Sequence, residues 1–515
     1  MSYVIKLSFA CGIAGYLFAA QACATDLPPS VSAELKRAHI PLSSAGIVVQ
    51  EVGGTAPAVS LNADEAMNPA STMKLLTTFA ALETLGPAYR WDTEAYLDGK
   101  LENGVLDGNL VFRGHGDPKL TIEQFWLWLR ELRQRGLRDI RGDIVLDYSA
   151  FEDDHHDPAE FDNDPTRAYN VGTNALLLNF NATHLHLIPN GKSTIAVLEP
   201  ELAGYTVQNS ISTSTRLGCH GGDAYKASLD GHTIKLEGSI PANCGEQDDY
   251  FSLLPHDEYF YAVFGALWRE LGGSIQGTLR VGTAPAGLAP FARYVSPELS
   301  EMIRDINKFS NNIMARQLFL TLGTYGVMAE TGGSDPVPES GQRPDEASIV
   351  TAQAGGDIVP ESRDQMVAQP DRPPQASIER SIEAIQRWLN SQHLQFPELV
   401  LENGAGLSRL ERISAKHLAE LLQRSASSPF AAELEASLPI LGMDGTVRKR
   451  FTDSEIAGLA HIKTGTLEGV KSMAGYVKTR NGKKWVVVFI INHPNAAMGQ
   501  AAQDALIEWL ENAQG

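Results

Sequence analysis

Two segments near the C-terminus constrain the architecture most. Met473–Lys478 and Lys484–Asn492 are apolar, β-forming runs, and Arg480-Asn-Gly-Lys between them carries the residues of a hairpin turn. A helical pattern from about Met498 to Ala513 closes the chain. Two antiparallel strands followed by a terminal helix predict a mixed α/β (α+β) fold, an antiparallel sheet flanked by helices. Ala45–Val52 reads as a further strand near the start.

A helix is expected between Asn68 and Gly86. Pro69 suits its first turn, Leu75, Leu76, Phe79, Leu82 and Leu85 recur at helical spacing, and Gly86 stops the run. Ser71 and Lys74 stand three apart and share one face at the helix start. The partial positive charge of a helix N-terminus favours a developing oxyanion there and helps depress the pKa of a nearby ammonium. A deprotonated lysine one turn from a serine is a base that makes its hydroxyl a nucleophile. From this tetrapeptide alone, an ordinary helix with an exposed serine and lysine fits as well.

At 515 residues the chain is too long for one core and suits two or three domains. Its net charge of −20 argues against a nucleic-acid partner, which wants a basic face. Lys6, an apolar stretch from about Leu7 to Ala20 and the small residues Ala22-Cys-Ala24 predict a secretory signal over 1–24. Acylation of Cys23 is a lesser alternative, since Ala20-Gln-Ala22 before it is a poor lipobox. No later segment is long and apolar enough to span a bilayer. Outside the signal two cysteines remain, Cys219 and Cys244. In an oxidising compartment they most simply form one disulfide, with two free thiols as the alternative.

From about 92 to 289 short alternating stretches dominate, among them Asn109–Phe112, Asp143–Asp147, His184–Ile188 and His232–Glu237. They predict a β-rich insertion with a few helices, such as Ile122 to Arg135. Helical patterning returns in Asp257–Leu271 and Ser296–Leu322, then in Ile378–Gln392 and Ala415–Ser425. Residues 327–379 are rich in Pro, Gly, Ser, Asp, Glu and Gln, a composition unable to offset chain entropy by burial, and are expected to be a mobile surface loop.

Two further motifs carry chemistry. In Ser310-Asn-Asn312 a hydroxyl could pass a proton toward a leaving amine, and an amide could hold a substrate carbonyl and contact Lys74. A helix cap would use the same residues. In Lys463-Thr-Gly-Thr466 the glycine lets a ligand approach the backbone, while the lysine and threonine hydroxyls can hold a carboxylate. An N–H of this edge strand can complete an oxyanion hole with that of Ser71. An exposed strand with a surface lysine is the plain alternative.

Taken in order, S-x-x-K, S-x-N and K-T-G in an exported chain form the signature of penicillin-binding proteins and serine β-lactamases. The long Ser71–Ser310 interval resembles the class C low-molecular-mass penicillin-binding proteins, the D-alanyl-D-alanine carboxypeptidase/endopeptidase family, which inserts extra domains there. Arg113–Pro118, Leu146–Phe151, Asn174–Asn179, Gly404–Arg409 and Leu438–Thr446 look like stretches of that family. Asn403-Gly-Ala-Gly departs from its usual Asp-Gly-Ser-Gly.

The resemblance implies a discontinuous transpeptidase-type domain over 25–91 and 290–515, with 92–289 inserted as two nested subdomains. It implies Ser71 as the acylated nucleophile, Lys74 as base and Ser310 as proton relay. Asn312, Lys463, Thr464, Gly465 and Thr466 would bind substrate, and Asp147 and Arg409 match positions near a side-chain pocket. A Cys219–Cys244 disulfide would lie in the insertion. The implied partners are peptidoglycan stem peptides, with β-lactams as inhibitors, and the implied place is the periplasm. A β-lactamase or esterase on the same scaffold and a non-catalytic envelope-binding protein are the alternatives. Neither cofactor nor metal is expected. Phe151–Pro158 contains His155 and His156, but loop signals flank them. Gly114-His-Gly116 lacks the third glycine of a dinucleotide fingerprint, and His461 has no Gly-x-Ser-x-Gly elbow to serve.

Overall fold

The computed structural model describes residues 27–153, 155–215, 219, 225–328 and 375–514. The expected signal segment and most of the expected loop at 327–379 lie outside the described residues. The two ends of that loop are described. Helix Asn312–Met328 runs into its start, and Ala376 bridges to Phe151 just before helix Ile378–Ser391.

The apolar run Trp485–Ile491 is buried at every position because both faces of its sheet are covered. That sheet is antiparallel and five-stranded, in the order Ala460–Leu467, Val470–Lys478, Lys484–Asn492, Ala45–Glu51, Val59–Leu61. Val487, Phe489 and Ile491 pack with Val31 and Leu35 of helix Pro29–Arg37 and with Leu506 and Leu510 of helix Gln500–Gln514. Val486, Val488 and Ile490 point the other way, toward Leu75, Phe79 and Leu82. Ala460–Leu467, which carries K-T-G, is an edge strand of this sheet.

The Ser71 segment differs from the expected continuous α-helix. Ala70–Met73 is a 3₁₀ turn, and the α-helix starts at Lys74 and ends at Leu85 before Gly86, whose φ is 80°. Its core stripe is also wider than the leucine spacing implies: every residue from Lys74 to Leu82 is buried. The helix lies between the sheet and helices Asn312–Met328 and Ala415–Ala426, and only its last turn, at Thr84, meets water. Its polar residues are satisfied internally, Thr77 Oγ1 donating to Gly404 O at 2.6 Å and Thr78 Oγ1 to Lys74 O at 2.7 Å.

Between Leu85 and Leu299 the chain builds two more sheets. In one, Asp92–Glu102 and Val105–Gly114 form a long hairpin flanked by Ala292–Val295, Ile144–Asp147 and shorter strands. The other is six-stranded, in the order Tyr225–Asp230, Thr233–Pro241, Thr206–Ser214, Ser193–Glu199, Thr183–Asn190, Gln247–Phe251. Phe112, Phe125, Trp128, Phe260, Phe264 and Trp268 share a core with Leu185, Leu187, Ile234 and Leu236. Helices Ile122–Gln134 and His256–Glu270 supply the aromatic layer. Cys219 and Cys244 are joined in a disulfide. Among the described residues, no helix is long and apolar enough to cross a membrane.

Candidate active site

The helical pattern expected over Ser296–Leu322 is two helices, broken at the Ser310-Asn-Asn312 segment whose residues also suit a cap, and the break creates part of the site. Leu299–Phe309 buries Leu299, Met302, Ile303 and Ile306, then ends at Ser310 with φ 58° and ψ 36°. That left-handed residue turns the chain so that helix Asn312–Met328 can begin. Lys308 pins the turn from below, its buried ammonium donating to Leu438 O at 2.9 Å and to Asp444 Oδ2 at 2.6 Å.

Three remote segments meet here. Lys74 Nζ lies 3.0 Å from Ser71 Oγ and 2.7 Å from Asn312 Oδ1, and it also donates to Ala405 O. Lys74 has no exposed surface. Burial pushes its ammonium well below the ordinary lysine value; the Lys463 charge adds to this, Glu411 opposes it, and Arg316 depresses it further. Such a lysine is available as a neutral base, and Ser71 Oγ is the hydroxyl within its reach.

Lys463 is the second buried lysine of the site. Its Nζ donates to Ser310 Oγ at 2.9 Å and to Thr464 O at 2.8 Å, and burial lowers its pKa to about 7. Thr464 is half-buried, with its hydroxyl 2.7 Å from that of Thr446, and Thr466 is exposed. Gly465 permits the closest approach. A Cβ there would stand 2.8 Å from both Pro69 O and Ser71 N and 2.3 Å from Ser472 Oγ. The K-T-G strand therefore lies directly against the backbone of the Ser71 turn.

The loop behind Lys74 holds a residue that motif reading missed. Glu411 has no exposed surface, and its Oε1 accepts the N–H groups of Glu402, Asn403 and Gly404 at 3.2, 3.0 and 2.9 Å. Burial raises its pKa, against those backbone donors and Lys74. Its other oxygen, Oε2, is buried without a hydrogen-bond partner. Asn403 closes the same loop, Oδ1 accepting from Ala405 N and Nδ2 donating to Leu407 O, both at 2.9 Å. An aspartate could not make the second bond, so the departure from Asp-Gly-Ser-Gly is locally self-consistent, and Glu411 brings a carboxylate to the loop. The sequence signal was an acid two residues beyond Arg409, inside an otherwise family-like stretch.

Asp147 and Arg409 are not brought to this cluster. Asp147 ends its strand buried. Its Oδ1 accepts from Ser149 N at 3.0 Å and Ser149 Oγ at 2.6 Å, and its Oδ2 from Ala284 N at 2.7 Å, with Arg113 Nε 3.8 Å away. Arg409 is half-exposed, donates to Glu468 O at 2.9 Å beside the turn of the K-T-G hairpin, and stacks over Phe161 at 5.0 Å. The latter contact joins the site's rim to the inserted region.

Residues 27–335 and 362–513 match the D-Ala-D-Ala carboxypeptidase 3 (S13) family. The chain belongs to that family. It is a serine-type DD-carboxypeptidase by that membership. It is similar to the D-alanyl-D-alanine carboxypeptidase of an Actinomadura species, at 26% identity over 94% of this chain and 84% of that one. The D-alanyl-D-alanine carboxypeptidase DacB of Haemophilus influenzae is 24% identical over 87% of this chain and 85% of its own. The fold is that of Haemophilus influenzae penicillin binding protein 4, whose crystal structure superposes with a TM-score of 0.70, 23% identity, and coverage of 93% of this chain and 99% of that one. The same protein complexed with a β-lactam superposes at 0.67.

In this carboxypeptidase a cleft of about 1420 Å³ opens from Ser310 and Asn312 toward the inserted sheets. Residues 163–169 and strand positions Tyr225, Lys226, Asp249 and Tyr250 form its far wall. Its charged groups are of both signs, including Lys119, Asp164, Arg167, Lys226, Asp249 and Asp305.

Proposed function

We propose that Ser71 is the nucleophile of an acyl-enzyme DD-peptidase that cleaves D-alanyl-D-alanine termini and D-alanyl cross-links of peptidoglycan, and that penicillins acylate the same serine. Neutral Lys74 takes the Ser71 proton as Oγ bonds to the D-alanyl carbonyl carbon. The N–H of Ser71 and an N–H of the K-T-G strand stabilise the oxyanion. Ser310, held by Lys463, relays a proton to the leaving amine as the C–N bond breaks, and water later hydrolyses the ester. Asn312 holds the acyl-side backbone, and Lys463, Thr464, Gly465 and Thr466 hold the terminal carboxylate. Arg409 serves recognition at the rim; Asp147, with its oxygens engaged, serves by shaping its strand end. The discontinuous domain, 25–91 with 290–515, would carry the chemistry, and the insertion the outer wall of the cleft. That wall gives room for the second stem peptide of a cross-link. The enzyme would work in the periplasm after export.

One observation carries this reading: Lys74, buried and depressed in pKa, lies between Ser71 Oγ and Asn312 Oδ1. The test is digestion of purified pentapeptide monomers and cross-linked dimers, read by mass spectrometry, with wild type beside Ser71→Ala. Loss of one D-alanine and splitting of dimers in wild type alone are expected. Intact muropeptides together with rapid penicillin turnover would instead establish a β-lactamase.

A further inference from the structure

The six-stranded sheet carries a second concentration of chemistry, remote from Ser71. Strands Thr183–Asn190 and Gln247–Phe251 pair antiparallel, with His186 opposite Asp248 and His184 opposite Tyr250. Alternation puts His184, His186, Glu246, Asp248 and Tyr250 on the outer face, while Leu185 and Leu187 enter the core. His184 Nε2 and His186 Nδ1 each lie 2.8 Å from Asp248 Oδ1, and the ligating atoms of the three side chains are all within 4.8 Å of one another. The His184 ring stacks on Tyr250 at 4.8 Å. His186 Nε2 faces Glu246 Oε2 at 3.5 Å.

We propose that His184, His186 and Asp248 bind one divalent transition-metal ion of the Zn²⁺ type, with Glu246 as the outer carboxylate that orients His186. Two imidazoles and one carboxylate are a donor set suited to zinc, and the open side of the face leaves a fourth position for water. Tetrahedral zinc, with bonds of about 2.0–2.1 Å, sets neighbouring donors about 3.3 Å apart, so each histidine nitrogen need move only about half an ångström from Asp248 Oδ1, inside a trio that already lies within 4.8 Å. The surroundings favour this too. His186 has a carboxylate at each nitrogen. With the metal on Nδ1, the Nε2–H would face Glu246 Oε2, 3.5 Å away. The outer carboxylate is the partner a metal-bound imidazole commonly has.

The ion would join two strands whose ligands are 62 residues apart in sequence, at an edge of the sheet just beyond the Cys219–Cys244 link. Its role is therefore a clasp on the inserted region, not a part of the acyl transfer.

The test uses the full chain, stripped with a chelator and titrated with Zn²⁺ alone by calorimetry. One saturable site per chain, micromolar or tighter, is expected in wild type. His186→Ala and Asp248→Asn should each weaken it at least about tenfold. His155→Ala, in the Phe151–Pro158 segment outside this sheet, should leave it unchanged. Co²⁺ should give the visible absorption of a tetrahedral site in wild type, lost in His184→Gln. Penicillin labelling of Ser71 in every variant reports that the fold is intact, and His184→Gln serves for affinity where another variant fails to fold. No saturable binding in wild type, wild-type affinity in the His184, His186 and Asp248 variants, or loss on His155→Ala would each overturn the proposal.

Discussion

Lys74 and Lys463 are two lysines without exposed surface that share one site, and their pH behaviour follows from that burial. Lys74 acts as base only when neutral, so its depressed pKa puts the acid limb of acylation far below the ordinary lysine range. Ionised Glu411 favours protonated Lys74. Glu411→Gln keeps an oxygen for the three backbone donors but removes the charge, so the acid limb should move to lower pH. Penicillin acylation rates measured against pH check this; an unmoved limb would leave Glu411 with a purely structural role. Lys463, at about 7, has the opposite consequence for a carboxylate substrate. The protonated form attracts the carboxylate, so binding should weaken as pH rises through about 7, seen as a rising KM. Lys74→Arg, which cannot deprotonate, should lower acylation by about 10²- to 10⁴-fold with the fold retained.

At the scale of elements, the decisive contact is that of the K-T-G edge strand with the Ser71 turn. Gly465 has ordinary backbone conformation, so its requirement is space and not φ. In Gly465→Ala the new Cβ would meet Pro69 O and Ser71 N, backbone atoms that cannot rotate away. Separation of strand and turn should reduce acylation by about 10²-fold, the loss typical of one oxyanion donor, with a modest fall in thermal stability from overpacking. Gly406→Ala is more severe. At φ +75° its Cβ would stand 1.9 Å from Ala70 O, so thermal stability should fall together with activity. Helices and the late hairpin were legible because their signals are local. Ile122–Gln134, Ile378–Ser391 and Ala415–Ala426 follow periodicity and caps, and Lys484–Asn492 follows its turn. The 3₁₀ turn at Ser71 was not legible, and Ser310-Asn-Asn312 was legible only as a helix cap, because packing against Gly406, Gly465 and Lys308 holds their geometry.

For the molecule as a whole, Asp117 links stability to pH. It lies buried beyond strand Val105–Gly114, Oδ1 accepting from Lys119 N at 2.8 Å, and burial raises its carboxyl to about 7. Lys119 in turn pairs with Asp305 of helix Leu299–Phe309 at 2.5 Å, across the junction of the inserted sheets and the Ser71 core. A raised folded-state pKa means that the unfolded chain ionises first. The contribution is present below about pH 4 and is lost as pH rises through about 7, a change of up to about 4 kcal/mol. Asp117→Asn should therefore flatten the pH dependence. Its denaturation midpoint relative to wild type should be higher at pH 8 than at pH 5, and an equal difference at both would dismiss the link.

Read without its structure, the chain determines its own local grammar. Alternation marks the strands, 3.6-residue spacing the helices, and three short motifs name the chemistry, because each depends on neighbours a few residues apart. Tertiary structure alone decides that Lys74 reaches Asn312 across 238 residues and Lys463 reaches Ser310 across 153. It decides that Glu411 is buried behind the base, and that strand register sets His186 against Asp248. The reason is physical: burial, desolvation and register are properties of packed surfaces, and no window of sequence contains both sides of a contact.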